Sequence, residues 1–320
     1  YRRRNSNLMN LNHYLWVEKY RPETLEECIL TPDLKEYFKD LISKGEVPNL
    51  LFSGSAGCGK TTVAKALCKE LNADYLFING SEENGIDVLR NTIKNFAMSV
   101  SLSGNTKIVI IDEADYLAAN SFQPAFRSFM EEYSANCRFI LTCNNKNKLI
   151  KPLHSRLTNV DFTLANEDKP KIAKQFFKRI LTILKSEEVE VNNDVIAAII
   201  QKFFPDFRKT IVELQRNCKD GQISDRILSK SSDLNMDVIS NTLKSKDWKE
   251  MRQWVSDNVA EYDINDLFRK VYDSLVDHTD QAPHLVVLIG EWQYKSSFIP
   301  DQEITLTAFF TEVMANVEFK

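Results

Sequence analysis

The sequence predicts an α/β fold: a parallel sheet covered by helices on both faces, followed by two smaller helical regions. Three observations predict it. Up to about residue 163, short apolar runs at 50–52, 75–79, 108–111, 139–142 and 159–162 alternate with amphipathic stretches. That is the pattern of repeated βα units. A complete phosphate-binding signature, Gly54-Ser55-Ala56-Gly57-Cys58-Gly59-Lys60-Thr61, lies between the first run and a helical stretch at 62–71. After Asn166 the strand signal fades, and apolar residues recur near a period of 3.6.

Each element follows from local chemistry. Asn49-Leu50-Leu51-Phe52 reads as a buried strand leading into the glycine-rich turn. The glycines let backbone N–H groups turn inward around phosphate. The helix that follows adds the positive end of its dipole. Gly57, Cys58, Gly59, Lys60, Thr61 and Thr62 are therefore expected to hold a nucleoside triphosphate. Lys60 reaches the β- and γ-phosphates, and the Thr61 hydroxyl ligates Mg²⁺. Ile108-Val109-Ile110-Ile111 suits a central strand, and it ends in Asp112-Glu113-Ala114-Asp115. At the carboxyl end of that strand Asp112 faces the phosphate loop, where it can hold Mg²⁺. Glu113 is then placed to orient and deprotonate an attacking water. Asp115 is expected to cap or pair nearby.

The segment Asn166-Glu167-Asp168-Lys169 resembles a capped helix start, and 172–184 has helical apolar spacing. The polar stretch 229–233 reads as a linker. Beyond it, Leu267, Val271 and Leu275 form a helical stripe.

Composition bounds the function. The 320 residues are 43% hydrophobic and 27% charged, ordinary for a globular chain. No apolar run reaches the ~18–20 residues that span a bilayer. The start of the chain, Tyr1-Arg2-Arg3-Arg4-Asn5-Ser6-Asn7, is basic but lacks the apolar core of a signal peptide. The expected location is cytoplasmic, the host cytoplasm if the source is viral, with no membrane partner. The six cysteines (28, 58, 68, 137, 143 and 218) show no metal-ligand spacing and read as buried thiols in a reducing compartment. The net charge is −4. Any nucleic-acid contact therefore needs a local patch or several subunits lining one channel.

The phosphate loop, the Asp-Glu-Ala-Asp strand end and Trp16-Val17-Glu18-Lys19-Tyr20-Arg21-Pro22 together resemble the AAA+ clamp-loader ATPases. That family includes replication factor C small subunits and the large clamp-loader subunit of T4-type bacteriophages. Gly85-Ile86-Asp87-Val88-Leu89-Arg90, Leu141-Thr142-Cys143-Asn144, Ser155-Arg156-Leu157 and Phe204-Pro205-Asp206-Phe207-Arg208-Lys209 resemble further family motifs. Arg127-Ser128-Phe129-Met130-Glu131 favours the phage type. The likeness covers roughly residues 14–218.

The resemblance implies three domains: an AAA+ P-loop ATPase domain over 1–163, a helical lid over 164–230 and a helical collar over 231–320. It implies that Val17, Glu18, Lys19, Tyr20 and Ile29 line the adenine and ribose pocket. It makes Asn144 a sensor of the γ-phosphate and Arg208 a lid residue reaching the nucleotide. Arg156 becomes a finger acting in the neighbour's site; Leu157 stands where the family has Cys. Arg90 and Lys94 become DNA-contact candidates, and Gln123 part of a relay to Glu113. The implied partners are copies of this chain, a different loader subunit, a sliding clamp and primer–template DNA. ATP and Mg²⁺ are the implied cofactors.

Each of these residues also has a plainer reading. Tyr20 and Ile29 suit ordinary packing, Asn144 a strand-end turn, and Arg156 and Arg208 a solvated helix start. Arg90 and Lys94 suit a solvated helix face. Arg127 is expected to pair with Glu131 one turn on, with a trans-acting role as the alternative. Two other classes carry the same motifs: a DEAD-type helicase or translocase, and a scaffold that binds nucleotide only to assemble. The first needs a second βα domain after Asn166.

Overall fold

The apolar runs form five parallel strands: β1 (Leu50–Ser53), β2 (Asp74–Asn79), β3 (Lys107–Asp112), β4 (Arg138–Cys143) and β5 (Thr158–Asp161), in the order β2-β3-β4-β1-β5. Their pairing is parallel throughout, with Leu51 opposite Leu141 and Ile111 opposite Leu141 on the other side. The computed structural model describes residues 14–99, 105–190, 192–219, 221–223, 236–259, 264–296 and 298–319. The basic start of the chain and the 229–233 stretch lie outside them.

The three central strands, β3, β4 and β1, are buried on both faces, so period-2 alternation sorts their residues between two cores rather than between core and solvent. Leu51, Val109, Ile111, Phe139 and Leu141 point to one side, under Leu89, Ile93, Phe122 and Phe126. Leu50, Phe52, Ile108, Ile110, Ile140 and Val160 point to the other, under Phe38, Leu41, Val63 and Leu67. The helix Pro32–Lys44 begins at an N-cap Thr31 whose side chain accepts from the Leu34 N–H, and it ends at Gly45 in the left-handed region.

Three helices follow the sheet, Lys169–Ser186, Asn193–Phe203 and Phe207–Arg216. No second βα domain appears among the described residues there. Two details depart from expectation. Residues 166–168 form a turn, the helix begins at Lys169, and the Asp168 side chain does not cap it. That carboxylate lies instead 3.9 Å from the Lys171 ammonium. A two-residue antiparallel pair, β6 (Cys218–Lys219) with β7 (Gln222–Ile223), closes this region. Strands this short carry no periodicity to read.

The core of this helical region contains Phe176, Ile180, Ile196, Ile199 and Leu214, and also Trp16 from near the start of the chain. Trp16 N donates to Gln215 Oε1 at 2.9 Å, and Gln215 Nε2 donates back to the Tyr14 carbonyl at 2.6 Å. Arg179 donates to the Tyr20 carbonyl at 3.0 Å. The segment before the sheet is thus fastened to the helices after it.

The chain divides into one compact unit up to Leu228 and a second from Ser229. The second contains the helices Met236–Ser245, Trp248–Asn258, Ile264–Leu275, Ala282–Ser296 and Gln302–Asn316. Leu267, Val271 and Leu275 are buried in its core with Phe309, Phe310 and Val313. No helix among the described residues is long and apolar enough to cross a membrane. All six cysteines are free thiols; five are buried, while Cys218 is only half-buried. Burial pushes the Cys28 and Cys68 thiols up to about 12 and those of Cys137 and Cys143 to about 11. They are therefore unreactive packing groups.

Candidate active site

The strand order reverses between β1 and β4, and the polar residues converge outside the carboxyl ends of the strands beside that switch point. Gly57 and Gly59 take φ of 73° and 96°, a region costly for other residues. The helix Lys60–Glu70 starts at Gly59 with no side-chain cap, so its first N–H groups remain available to an anion. Lys60 is buried, and its ammonium donates to the Gly54 carbonyl at 2.8 Å, the Ser55 carbonyl at 2.7 Å and Asn144 Oδ1 at 2.9 Å. One cation therefore ties the phosphate loop to the end of β4.

Asp112 ends β3 beside the loop. Its Oδ1 accepts from the Thr61 hydroxyl at 2.6 Å and from the Thr142 hydroxyl at 2.5 Å. The Thr142 hydroxyl in turn accepts from the Glu113 N–H at 3.1 Å. Thr142 was not singled out from the sequence, although a hydroxyl inside an otherwise apolar buried strand is a readable signal. It joins the two acidic residues to β4.

Glu113 sits at φ 54°, ψ 44°. A non-glycine residue in that region carries a cost of about 1–3 kcal/mol and persists only where its surroundings hold it. Gly80 supplies part of the hold. Its N–H donates to the Asp112 carbonyl at 2.7 Å, and a Cβ built there would stand 2.8 Å from the Glu113 carbonyl oxygen. Gly80→Ala should therefore displace the Glu113 backbone, destabilise the fold by about 1–3 kcal/mol and lower turnover beyond what lost folding explains. Thermal unfolding and kcat measured on the same preparation check this.

The cleft above these groups is lined by Ala56–Val63, Asp112, Glu113, Thr142 and Asn144 on the sheet side. Val17, Tyr20, Arg21, Pro22, Cys28 and Ile29 line it from the N-terminal segment. Phe176, Arg179, Phe207, Arg208 and Ile211 line it from the helices after the sheet. Val17, Tyr20, Ile29, Gly57, Cys58, Gly59, Thr62, Asn144 and Arg208 thus meet in one place with Lys60, Thr61, Asp112 and Glu113.

Glu18 and Lys19 do not line the cleft, a correction to the sequence expectation. Val17 on the helical turn Trp16–Lys19 and Tyr20 at its C-cap, three apart, share the face toward the cleft. Glu18 takes two hydrogen bonds from Arg21, at 2.5 and 3.0 Å. Arg21 holds the Glu18 carboxyl below the usual carboxylate range, and Arg208 and Lys65 add to the effect. Lys19 and the Tyr20 hydroxyl both donate to Glu187 Oε1 at 2.6 Å. Arg179 was missed because one arginine on an amphipathic helix is not distinctive until the N-terminal segment packs against it.

A family model described as ATPase family associated with various cellular activities (AAA) matches residues 50–164. A second, described as the sliding-clamp-loader large subunit AAA+ ATPase lid domain, matches 168–229. The sliding-clamp-loader large subunit of Enterobacteria phage T4 is 37% identical over 98% of this chain and 99% of its own length. This chain belongs to the AAA+ clamp-loader ATPase family. The corresponding subunit of Escherichia phage RB69 is 40% identical over 83% of this chain and 85% of its own. The replication factor C small subunit of Archaeoglobus fulgidus is 32% identical over 93% and 96%. The RuvB Holliday junction branch migration motor of Thermotoga maritima shares the fold, with a TM-score of 0.50 at 18% identity over 70% of this chain and 79% of that one.

As a clamp-loader-family AAA+ ATPase the chain binds nucleotide and hydrolyses ATP. Arg156, Arg90, Lys94 and Gln123, four residues singled out for the family, do not line the cleft. Arg156 follows the short helix Lys151–His154, and its Nε and Nη2 both donate to Glu131 Oε1, at 2.8 and 2.6 Å. Glu131 was expected to pair with Arg127. The tertiary fold gives it to Arg156 instead, and Arg127 stands exposed one turn earlier. Arg90 and Lys94 are exposed on the outer helical segment that runs from Val88 to Met98. Gln123 is fully buried; its amide donates to the Leu117 and Lys148 carbonyls and its oxygen accepts from the Ile150 N–H. It braces the turn after Glu113 against the loop after Asn144. Asp115 accepts from the Asn145 N–H at 3.3 Å across the same seam.

Proposed function

We propose that this chain is the ATPase subunit of an oligomeric loader that opens a sliding clamp and places it on primer–template DNA, hydrolysis then releasing the loader. The observation that carries this reading is the division of the site. Lys60, Thr61, Asp112, Glu113 and Asn144 converge on one cleft, while Arg156 stands outside it on the surface. A subunit of this design completes its neighbour's site. Two supports join it: likeness to clamp-loader subunits along nearly the whole chain, and, among the described residues, helices rather than a second βα domain after the sheet.

The N–H groups of the phosphate loop and Lys60 bind the triphosphate. Val17, Tyr20 and Ile29 form the apolar wall for the base. The Thr61 hydroxyl and Asp112 carboxylate are adjacent hard oxygen donors, and no cluster of three or more His, Cys, Asp or Glu occurs among the described residues. This donor set suits Mg²⁺, which takes one or two protein oxygens and completes its shell with phosphate and water. Held by Thr61 and Asp112, the ion would supply positive charge against the phosphates. Glu113 accepts the proton of the attacking water. Asn144 exchanges Lys60 for the γ-phosphate or that water, and Arg208 carries the lid onto the nucleotide. Arg156 of one subunit stabilises the transferring phosphoryl group in the next.

In the full assembly, 164–230 acts as lid and the helices after 231 as an oligomerising collar, alongside a different loader subunit. Exposed Arg90 and Lys94 contact DNA phosphates without reading sequence.

An ATPase assay with matched clamp and primer–template DNA, each added alone and then together, tests the reading. Strong synergy between the two is expected. Turnover indifferent to both, or duplex unwinding without a clamp, would overturn it.

A further inference from the structure

Gly57 belongs to the phosphate loop, yet its open side faces a carboxylate. A Cβ built on Gly57 would lie 1.8 Å from Asp206 Oδ1 and 2.4 Å from Asp206 Cγ, so the carboxylate rests on the glycine itself. The next residue seals the contact: Phe207 N donates to the Gly57 carbonyl at 3.2 Å. Asp206 is also the N-cap of the helix Phe207–Arg216, its Oδ1 accepting from the Lys209 N–H at 2.8 Å. The buried Thr210 hydroxyl donates to the Asp206 carbonyl at 2.8 Å, fixing the same turn. A negative charge on a rigid helix start is therefore seated on the loop that must receive a triphosphate, two residues before Arg208.

We propose that Asp206 sets the triphosphate affinity of this site, its charge opposing phosphate at the loop while its cap and its seat on Gly57 hold the lid helix against it. The proposal rests on the reading that the phosphate loop takes the triphosphate. The two roles of Asp206 are separable by chemistry. Asn and Asp cap helices about equally well, and Asn keeps the shape of the side chain. Asp206→Asn therefore removes the charge and leaves the cap. Like charges brought close raise each other's free energy, most where solvent is partly excluded. Nothing comparable acts on a ligand without phosphates.

The experiment measures affinity of the full-length wild-type chain and of Asp206→Asn for a non-hydrolysable ATP analogue with Mg²⁺, and for adenosine, at two salt concentrations. The expected result is a five- to tenfold tighter analogue Kd in the variant, a gain that shrinks at high salt, with adenosine affinity and thermal unfolding unchanged. Equal or weaker analogue binding by a variant that unfolds at the wild-type temperature would overturn the proposal. An equal gain for adenosine would also overturn it, since the effect would then be packing. Should Asp206→Asn unfold early, Asp206→Ser supplies a second neutral cap, judged by the same outcomes. Failure of the wild-type chain to bind the analogue would refute instead the reading on which the proposal rests.

Discussion

Glu113→Gln should reduce ATP turnover by about 10²–10⁴-fold, the range that a positioned general base supplies, while nucleotide affinity stays within a few-fold of wild type. The two halves of that expectation come from different parts of the geometry. On the proposed reading affinity comes from the loop N–H groups and from Lys60, whose ammonium bonds to Gly54, Ser55 and Asn144. Position resides in the backbone. Glu113 is held at φ 54° by the Thr142 hydroxyl on its N–H and by the close passage of Gly80 against its carbonyl. Gln keeps that backbone and nearly the same side-chain shape but cannot accept a proton at neutral pH. A single-turnover assay beside a fluorescent-nucleotide titration separates binding from chemistry. Turnover within about threefold of wild type would mean that another group serves as base.

The second large effect belongs to Arg156, and it should appear only in assemblies. Arg156→Ala is expected to lower assembly turnover by about 10³-fold or more, on the scale of arginine fingers supplied by a neighbour. Lys60→Ala should do the same by removing the phosphate anchor. Mixing the two variants should restore part of the activity. At some interfaces an intact Lys60 site then meets an intact Arg156. Loss without recovery at any mixing ratio would place the arginine's effect within its own subunit. The ion pair with Glu131 does not argue against delivery to a neighbour. Glu131 is 60% exposed in that pair, and such surface pairs are worth about 0–1 kcal/mol. A phosphate receiving a forked, charge-assisted contact outcompetes it.

The sheet was legible because its strands are apolar runs with few competing interpretations. Ile108 to Ile111 can be little else, and the acidic pair at their end marks the binding edge. The phosphate loop is specified residue by residue, so its glycine-rich turn follows from the sequence alone. Contacts between distant segments were not legible. Glu131 illustrates why: helical spacing offers Arg127, while the fold brings Arg156 from 25 residues away into hydrogen-bond range. Lys19 was assigned to the base pocket by its place in a motif, yet its ammonium is taken by Glu187, which the sequence does not mark. Thr142 and Gly80 escaped notice because their roles are to hold a neighbour's backbone. Gly80 also has no signature other than the absence of a side chain. The segment 166–169 does mark the helix start at Lys169, but the Asp168 carboxylate at the cap position faces the Lys171 ammonium, 3.9 Å away, and does not cap the backbone.

The fastening of Trp16 and Tyr20 to Gln215 and Glu187 sets an order of events during synthesis. Every strand of the sheet is made by Asp161, so the phosphate side of the cleft can take shape on the ribosome. The base side cannot. Its wall waits for partners that lie 199 and 167 residues downstream. At about 5–20 residues per second that wait lasts several seconds beyond completion of the sheet. On the proposed reading, an unfinished chain offers ATP a landing place for its tail but no enclosure for its ring, and the grip is completed only after the helices following the sheet have been translated.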